Sequence, residues 1–109
     1  MVTEFKIQVL QEWKKELMTS SEEYQTAINN AKNNLRTLEI KSLIAERSVY
    51  KLNSYPDYKE KHVDPLFDDL QKADAYFNQI RLENQREINR VNALISQIDL
   101  ELELLGVKN

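Results

Sequence analysis

The side chains best suited to chemistry lie in one short stretch around His62, the single histidine of the chain. Glu60 and Asp64 flank it, and Ser54 lies a little upstream. An imidazole, carboxylates and a hydroxyl are the groups of acid–base and serine catalysis, and the first two also bind metal ions. However, no strained glycine-rich turn surrounds Ser54, and metal-binding helical bundles use paired Glu-x-x-His motifs. We therefore expect no catalytic residues, no metal and no cofactor, with His62 in a solvated loop.

The composition narrows the classes of function further. The 109 residues include no cysteine and one glycine, and the formal net charge is −3. A thiol site and a glycine-rich phosphate loop are therefore excluded, and we expect no small-molecule substrate. Positive and negative charges alternate without a basic patch, which argues against nucleic-acid binding. No apolar run is long enough to span a membrane.

The N-terminal residues also bear on where the protein acts. Lysine and glutamate interrupt the first fifteen residues, so this stretch lacks the apolar core of a secretory signal peptide. We expect a cytoplasmic protein, and export by a leaderless route stays open.

The apolar residues recur at the spacing of long helices. Two series repeat every seven residues in the first half: Leu10, Leu17, Tyr24, Ala31, Leu38, Ala45 and Leu52, joined by Ile28, Leu35, Ser42 and Val49. A comparable stripe follows in the second half: Leu66, Leu70, Ala73, Phe77, Ile80, Asn84, Ile88, Val91, Ile95, Ile98, Leu102 and Leu105. Alternating steps of three and four are typical of coiled coils. The sequence predicts an all-α protein, with a local change of register near Asn84.

These series divide the chain into three parts. We predict a helix over about 3–52, a connection over 53–63 that contains Pro56, and a helix over about 65–105. Asp64 is a suitable N-cap before Pro65, and Gly106 suits the position just after a helix. Two long helices with a short connection predict one domain, 1–109, built as an antiparallel coiled-coil hairpin.

The first helix contains one ambiguous point at Thr19–Ser21. Thr19 with Glu22, and Ser20 with Glu23, form two overlapping capping boxes, which are typical of a helix start. Either one continuous helix changes register here or the helix breaks. We favour the continuous helix, because Leu10 and Leu17 stay in phase with the later heptad positions.

If Leu52 faces Leu66, the hairpin leaves the N-terminal residues without an intrachain partner. In that register Leu105 reaches back only to about Trp13, while Glu46 meets Lys72, and Lys14 and Lys15 meet Glu101 and Glu103. A lone pair of helices also buries little of its surface. We therefore expect oligomerisation to complete a helical bundle.

The expected function is a non-catalytic protein–protein interaction of a structural, adaptor or inhibitory type. The predicted partners are a second copy, in a homodimer or higher oligomer, or another helical protein. The alternative is a small helical component of a specialised secretion, chaperone or mobile-element (phage-type) system that binds one dedicated partner. The predicted interface residues are Phe5, Val9, Trp13 and Leu17, with Leu102 and Leu105 opposite.

The connection carries a second group of candidate residues. Tyr55, Tyr58 and His62 either cap the end of the bundle or form a recognition tip, because long helical hairpins often present their connections to partners.

Overall fold

A computed structural model describes residues 2–52 and 54–107. Helix α1 spans Val2–Arg47, the short helix α2 spans Val49–Leu52, a π-helix spans Lys59–Val63, and helix α3 spans Asp64–Leu104. No strand occurs in the two described ranges. The predicted all-α class, with two long helices, is confirmed. Asn53, the first residue of the predicted connection, lies outside the described residues.

Helix α1 runs through Thr19–Ser21 without a break. The Thr19 hydroxyl donates a hydrogen bond to the backbone carbonyl of Lys15, at 3.1 Å, one turn earlier. A threonine that bonds backwards in this way is part of the helix interior and does not cap a new helix. The continuous helix favoured by the heptad phase is therefore the one observed.

The helix predicted over about 3–52 is interrupted at Ser48, and its last helical residues form α2, which ends at Leu52. The Ser48 hydroxyl donates to the carbonyl of Ile44 at 2.9 Å, and the Ser48 backbone N–H uses the same acceptor. Thr19 makes the same kind of bond within an uninterrupted part of α1, so this bond alone does not account for the interruption at Ser48. The residues after it form α2, whose Leu52 N–H bonds the Ser48 carbonyl.

The connection is more helical than its sequence indicates. Asp57 has a φ of 65°, a left-handed conformation that aspartate tolerates, and helical turns resume directly after it. Asp64 is itself in the right-handed helical region, and its N–H donates to the carbonyl of Lys59. The expected role of Asp64 as N-cap is therefore wrong, since the helical backbone begins upstream of it.

Helix α3 ends as predicted at Gly106, which has a φ of 86°. The Val107 N–H donates to the Leu102 carbonyl at 2.9 Å, and the Gly106 N–H donates to the Glu103 carbonyl at 3.0 Å. This pair of bonds is the Schellman motif, which satisfies the last carbonyls of a helix.

The chain divides into two compact units. Unit 1 contains the described residues of 1–27 and 83–109, and unit 2 contains the described residues of 28–82. The buried residues of unit 1 are Ile88, Val91, Ile98 and Leu102. Those of unit 2 are Ile28, Ala31, Leu35, Ser42 and Ala73. Every position of the predicted apolar series is buried or half-buried, so the heptad phase locates the packed side of each helix.

The predicted register between the helices is wrong. In unit 1, Lys14 Nζ lies 2.6 Å from Asp99 Oδ1, and Lys6 Nζ lies 3.9 Å from Glu101 Oε2. The N-terminal residues therefore have intrachain partners, and the predicted unpaired overhang is absent from this unit. Near the connection, Leu66 lines one groove with Ala45 and Ser48 as well as Leu52, so Leu66 is not paired with Leu52 alone.

Candidate interaction surfaces

An exposed apolar stripe runs along α1 in unit 1. Phe5, Val9 and Trp13 follow one another at intervals of four residues, so they lie on one side of the helix. Phe5 is 69% exposed and Trp13 is 41% exposed. Large side chains usually lose most of their exposure on folding, so three of them on one side mark a candidate interaction surface.

The other predicted interface residues lie closer to the core of unit 1. Leu17 and Leu105 are half-buried, and Leu102 is the most enclosed large side chain described, with 1% exposure. Their heptad positions explain this placement, because each belongs to a series that faces the neighbouring helix. The structure therefore separates the six residues into an outer group of three and an inner group of three.

The Lys6–Glu101 ion pair shows which part of α3 adjoins the apolar stripe. Trp13 lies one heptad after Lys6, and Leu94 lies one heptad before Glu101. Equivalent positions in successive heptads repeat the same neighbours, so we infer that Leu94 adjoins Trp13 along this flank. Leu94 is also exposed. We call Phe5, Val9, Trp13 and Leu94 the apolar face of unit 1.

The opposite flank of α1 is mostly polar. Gln8, Lys15 and Glu22 occupy one heptad position there, and all three are exposed. Met18, at 48% exposure, is an apolar residue on this flank, so most but not all of the exposed apolar side chains of α1 in unit 1 lie on the side of Phe5, Val9 and Trp13. Leu94 is not among the predicted interface residues. Its place on the apolar face of unit 1 depends on the register between the helices, which the sequence did not predict.

Unit 2 contains a groove at the connection. Its volume is about 800 Å³. We call it the connection groove, and its lining residues are Ile40, Lys41, Ile44, Ala45, Ser48, Leu52, Tyr55, Pro56, Tyr58, Lys61, His62 and Leu66. The three residues predicted to form a recognition tip, Tyr55, Tyr58 and His62, are therefore brought together in its wall.

Tyr58 fixes the shape of this groove. Its hydroxyl donates a hydrogen bond to the backbone carbonyl of Ala45 at 3.1 Å, across thirteen residues of sequence. Its ring also lies against His62, with centroids 5.4 Å apart and planes inclined by 36°. Tyr58 is half-buried while Tyr55 and His62 are exposed, so Tyr58 supports the wall and the other two face outwards.

The charges of the connection groove have one sign. The charged residues that line it are Lys41 and Lys61, and none of the described lining residues is acidic. Aliphatic and aromatic side chains form the remainder of the surface. The groove therefore combines an apolar floor with cationic groups, which suits a ligand that carries both aliphatic groups and a carboxylate.

Residues 2–52 and 54–107 contain no cluster of three or more histidine, aspartate or glutamate side chains placed to hold a metal ion. Over the same residues no helix is long and apolar enough to cross a membrane. The comparisons with known proteins returned no family model, no curated protein and no solved structure that matches this chain. The chemistry of the two surfaces, the apolar face of unit 1 and the connection groove, is the basis for a functional proposal.

Proposed function

We propose that this chain is a non-catalytic protein–protein interaction module, built as an antiparallel coiled-coil hairpin that a second helical surface completes to a bundle. The apolar face of unit 1 is the contact surface. The first partner we consider is another copy of the chain, because two copies of one exposed apolar face can cover each other about a two-fold axis.

The contacts within each unit support the antiparallel arrangement. In unit 1, Lys6 meets Glu101 while Lys14 meets the earlier residue Asp99. In unit 2, Leu38 lines a groove with Lys72, whereas Ala45, which comes later, lines one with Leu66. Advance along α1 therefore corresponds to retreat along α3 in both units, as in antiparallel helices.

The observation that carries the proposal is the exposure of Phe5, Val9 and Trp13 on one side of α1. Burial of apolar surface contributes about 25 cal/mol per Å², and aromatic side chains supply the largest areas. A partner that covers these residues gains this contribution without disturbing the buried series on the other side. Aromatic anchors of this kind are also the usual centres of binding energy in protein interfaces.

The test is the mass of the protein in solution, measured by light scattering after size exclusion over a hundredfold dilution. We expect a multiple of the chain mass for the natural sequence. The double variant Phe5→Asp/Trp13→Asp should lower this multiple, because it places two charges in the contact surface. The control Gln11→Asp/Thr26→Asp adds the same charge at two exposed positions outside the apolar face of unit 1, and should leave the mass unchanged.

The outcomes separate the proposed partners. An unchanged mass in Phe5→Asp/Trp13→Asp would exclude the apolar face of unit 1 as the site of self-association. A single chain mass for the natural sequence at every concentration would exclude self-association altogether. It would favour a dedicated helical partner, whose binding should raise the melting temperature of the chain.

A further inference from the structure

We propose that the connection groove binds the last turns of α3 from a second copy, through Leu100, Glu103 and Leu104. This inference rests on the proposed function, since it assumes that the chain acts by binding helical surfaces. It adds a second contact, made by different residues from those of the apolar face of unit 1.

The lining of the connection groove suits an occupant with aliphatic and negative groups. Ile40 and Ile44 project into it from successive turns of α1, and both are largely exposed. Lys41 and Lys61 supply positive charge beside them, and both are exposed. An apolar ligand without charge would leave these ammonium groups without a partner, whereas a carboxylate next to an aliphatic group would satisfy both parts of the surface.

The end of α3 offers this combination. Leu100 and Leu104 are one turn apart and exposed, with Leu104 at 73%, and Glu103 is exposed next to Leu104. Residues spaced by three and four share one side of a helix, so the two leucines and the carboxylate form one continuous surface. Leu102, between them in sequence, is buried within its own unit and does not take part.

Electrostatics at the helix end favour a cationic partner. The C-terminal end of a helix carries partial negative charge, so the carboxylate of Glu103 in the last turn of α3 is in an unfavourable position. Lysine side chains from another molecule would relieve this repulsion. Lys41 and Lys61 therefore attract the helix end as well as the Glu103 side chain.

The two contacting surfaces are different from each other, so the contact is heterologous. Each copy offers one groove and one helix end, and repetition of such a contact produces a ring or an open chain. Pairing through the apolar face of unit 1 is instead a closed contact between two copies. The two contacts therefore have separate effects on the mass of the assembly.

The test uses opposite charge reversals on the two surfaces. The groove variant Lys41→Glu/Lys61→Glu places an acidic groove against an acidic helix end, and Glu103→Lys places a basic helix end against a basic groove. In low salt, the mass of the assembly should increase with protein concentration. In either variant we expect this increase to need about tenfold more protein than in the natural sequence. An equimolar mixture of the two should restore growth, because each groove then meets a helix end of opposite charge.

The matched control is Lys32→Glu/Lys59→Glu, which reverses two exposed lysines outside the groove and should behave as the natural sequence. Circular dichroism establishes that each variant keeps its helical content. The proposal would be overturned if the mass of each variant, measured separately, increased with concentration as in the natural sequence. It would also be overturned if the mixture failed to restore this increase.

One further outcome would reassign the groove. Oleate tested by calorimetry provides an aliphatic chain with a carboxylate. If oleate binding is lost in Lys41→Glu/Lys61→Glu while the mass is unaffected, the groove binds an anionic amphiphile and the proposal is wrong. If the mass falls in Phe5→Asp/Trp13→Asp but is unchanged in the groove variant and in Glu103→Lys, the proposed function is supported and only this inference is overturned.

Discussion

The two units of the chain differ in the size of the side chains that they bury. Unit 1 encloses Ile88, Val91, Ile98 and Leu102, all branched aliphatic residues. Unit 2 also buries aliphatic residues, but three of its buried positions hold the small residues Ala31, Ser42 and Ala73. Stabilisation by burial is proportional to the apolar area removed from water. Each buried residue of unit 1 therefore contributes more stability than Ala31, Ser42 or Ala73 does in unit 2.

The outer surfaces of the two units differ in a corresponding way. Unit 1 presents an apolar stripe on a regular helix, whereas unit 2 presents a groove whose wall includes the connection. The hydrogen bond from Tyr58 to the Ala45 carbonyl holds this wall. A core of larger side chains thus lies behind the apolar stripe of unit 1, while a hydrogen bond between residues distant in sequence supports the groove of unit 2. Substitutions in the buried side chains and at Tyr58 therefore test this comparison of the two units separately.

The largest effect is expected for Leu102→Ala in unit 1. This side chain is fully enclosed, so its removal leaves a cavity and should lower the free energy of unfolding by about 2–5 kcal/mol. Leu82→Ala, on the same helix and 59% exposed, is the matched control and should change it by less than about 0.5 kcal/mol. Urea unfolding followed by circular dichroism provides both values. Equal losses in the two variants would contradict the assignment of the unit 1 core.

The next effect tests the closeness of packing around the small residues of unit 2. Ala31→Leu should destabilise the protein by about 1–3 kcal/mol, because Ala31 is buried and the extra atoms must displace a neighbour. Ala75→Leu adds the same atoms at an exposed position of the same unit and should be close to neutral. A higher melting temperature for Ala31→Leu would mean that unit 2 has unfilled space around Ala31. The smaller buried side chains of unit 2 would then indicate a poorly packed core.

The packed sides of both long helices could be predicted from sequence alone. A heptad series depends on local spacing only, and this is why Leu35, Ile88 and Leu102 were placed on the buried side before any tertiary contact was known. Helix continuity at Thr19 was also predictable from phase, although the competing capping boxes obscured it. The end of α3 followed from Gly106, since glycine adopts a positive φ without steric cost.

The register between the helices could not be predicted in this way. It depends on the path of the connection, where Lys59–Val63 form a π-helix that the sequence does not indicate. Lys14 therefore pairs with Asp99, whereas the predicted register pairs it with Glu101. The wrong register also concealed that Leu94, one heptad before Glu101, is the counterpart of Trp13, one heptad after Lys6.

The connection itself was only partly predictable. Tyr55, Tyr58 and His62 were recognised as a group, but their arrangement around a groove depends on the bond from Tyr58 to Ala45, thirteen residues away. A contact at that separation leaves no periodic signal in the sequence. Lys41 belongs to the same groove and was missed for the same reason.

The hydrogen bond of Tyr58 provides a third and smaller test. Tyr58→Phe removes the hydroxyl but keeps the ring, and should lower the free energy of unfolding by about 1 kcal/mol. Tyr55→Phe is the control at an exposed position of the same connection and should have little effect. Native-state hydrogen exchange should show faster exchange near residues 45–52 in Tyr58→Phe. If both variants match the natural sequence, the groove wall is held by packing alone.

The smallest expected effect concerns Ser42, a polar residue at a buried heptad position, where it is 8% exposed. Ser42→Ala should raise the free energy of unfolding by about 0.5 kcal/mol, because alanine is the better helix former. Ser96→Ala makes the same change at an exposed position of α3, so the difference between the two variants measures the effect of burying the hydroxyl. A larger gain at Ser42 would mean that unit 2 carries a cost of desolvation that unit 1 avoids. A loss of stability at Ser42 would instead mean that its hydroxyl contributes a hydrogen bond to this core, and the two units would then differ in how their cores are held as well as in side-chain size.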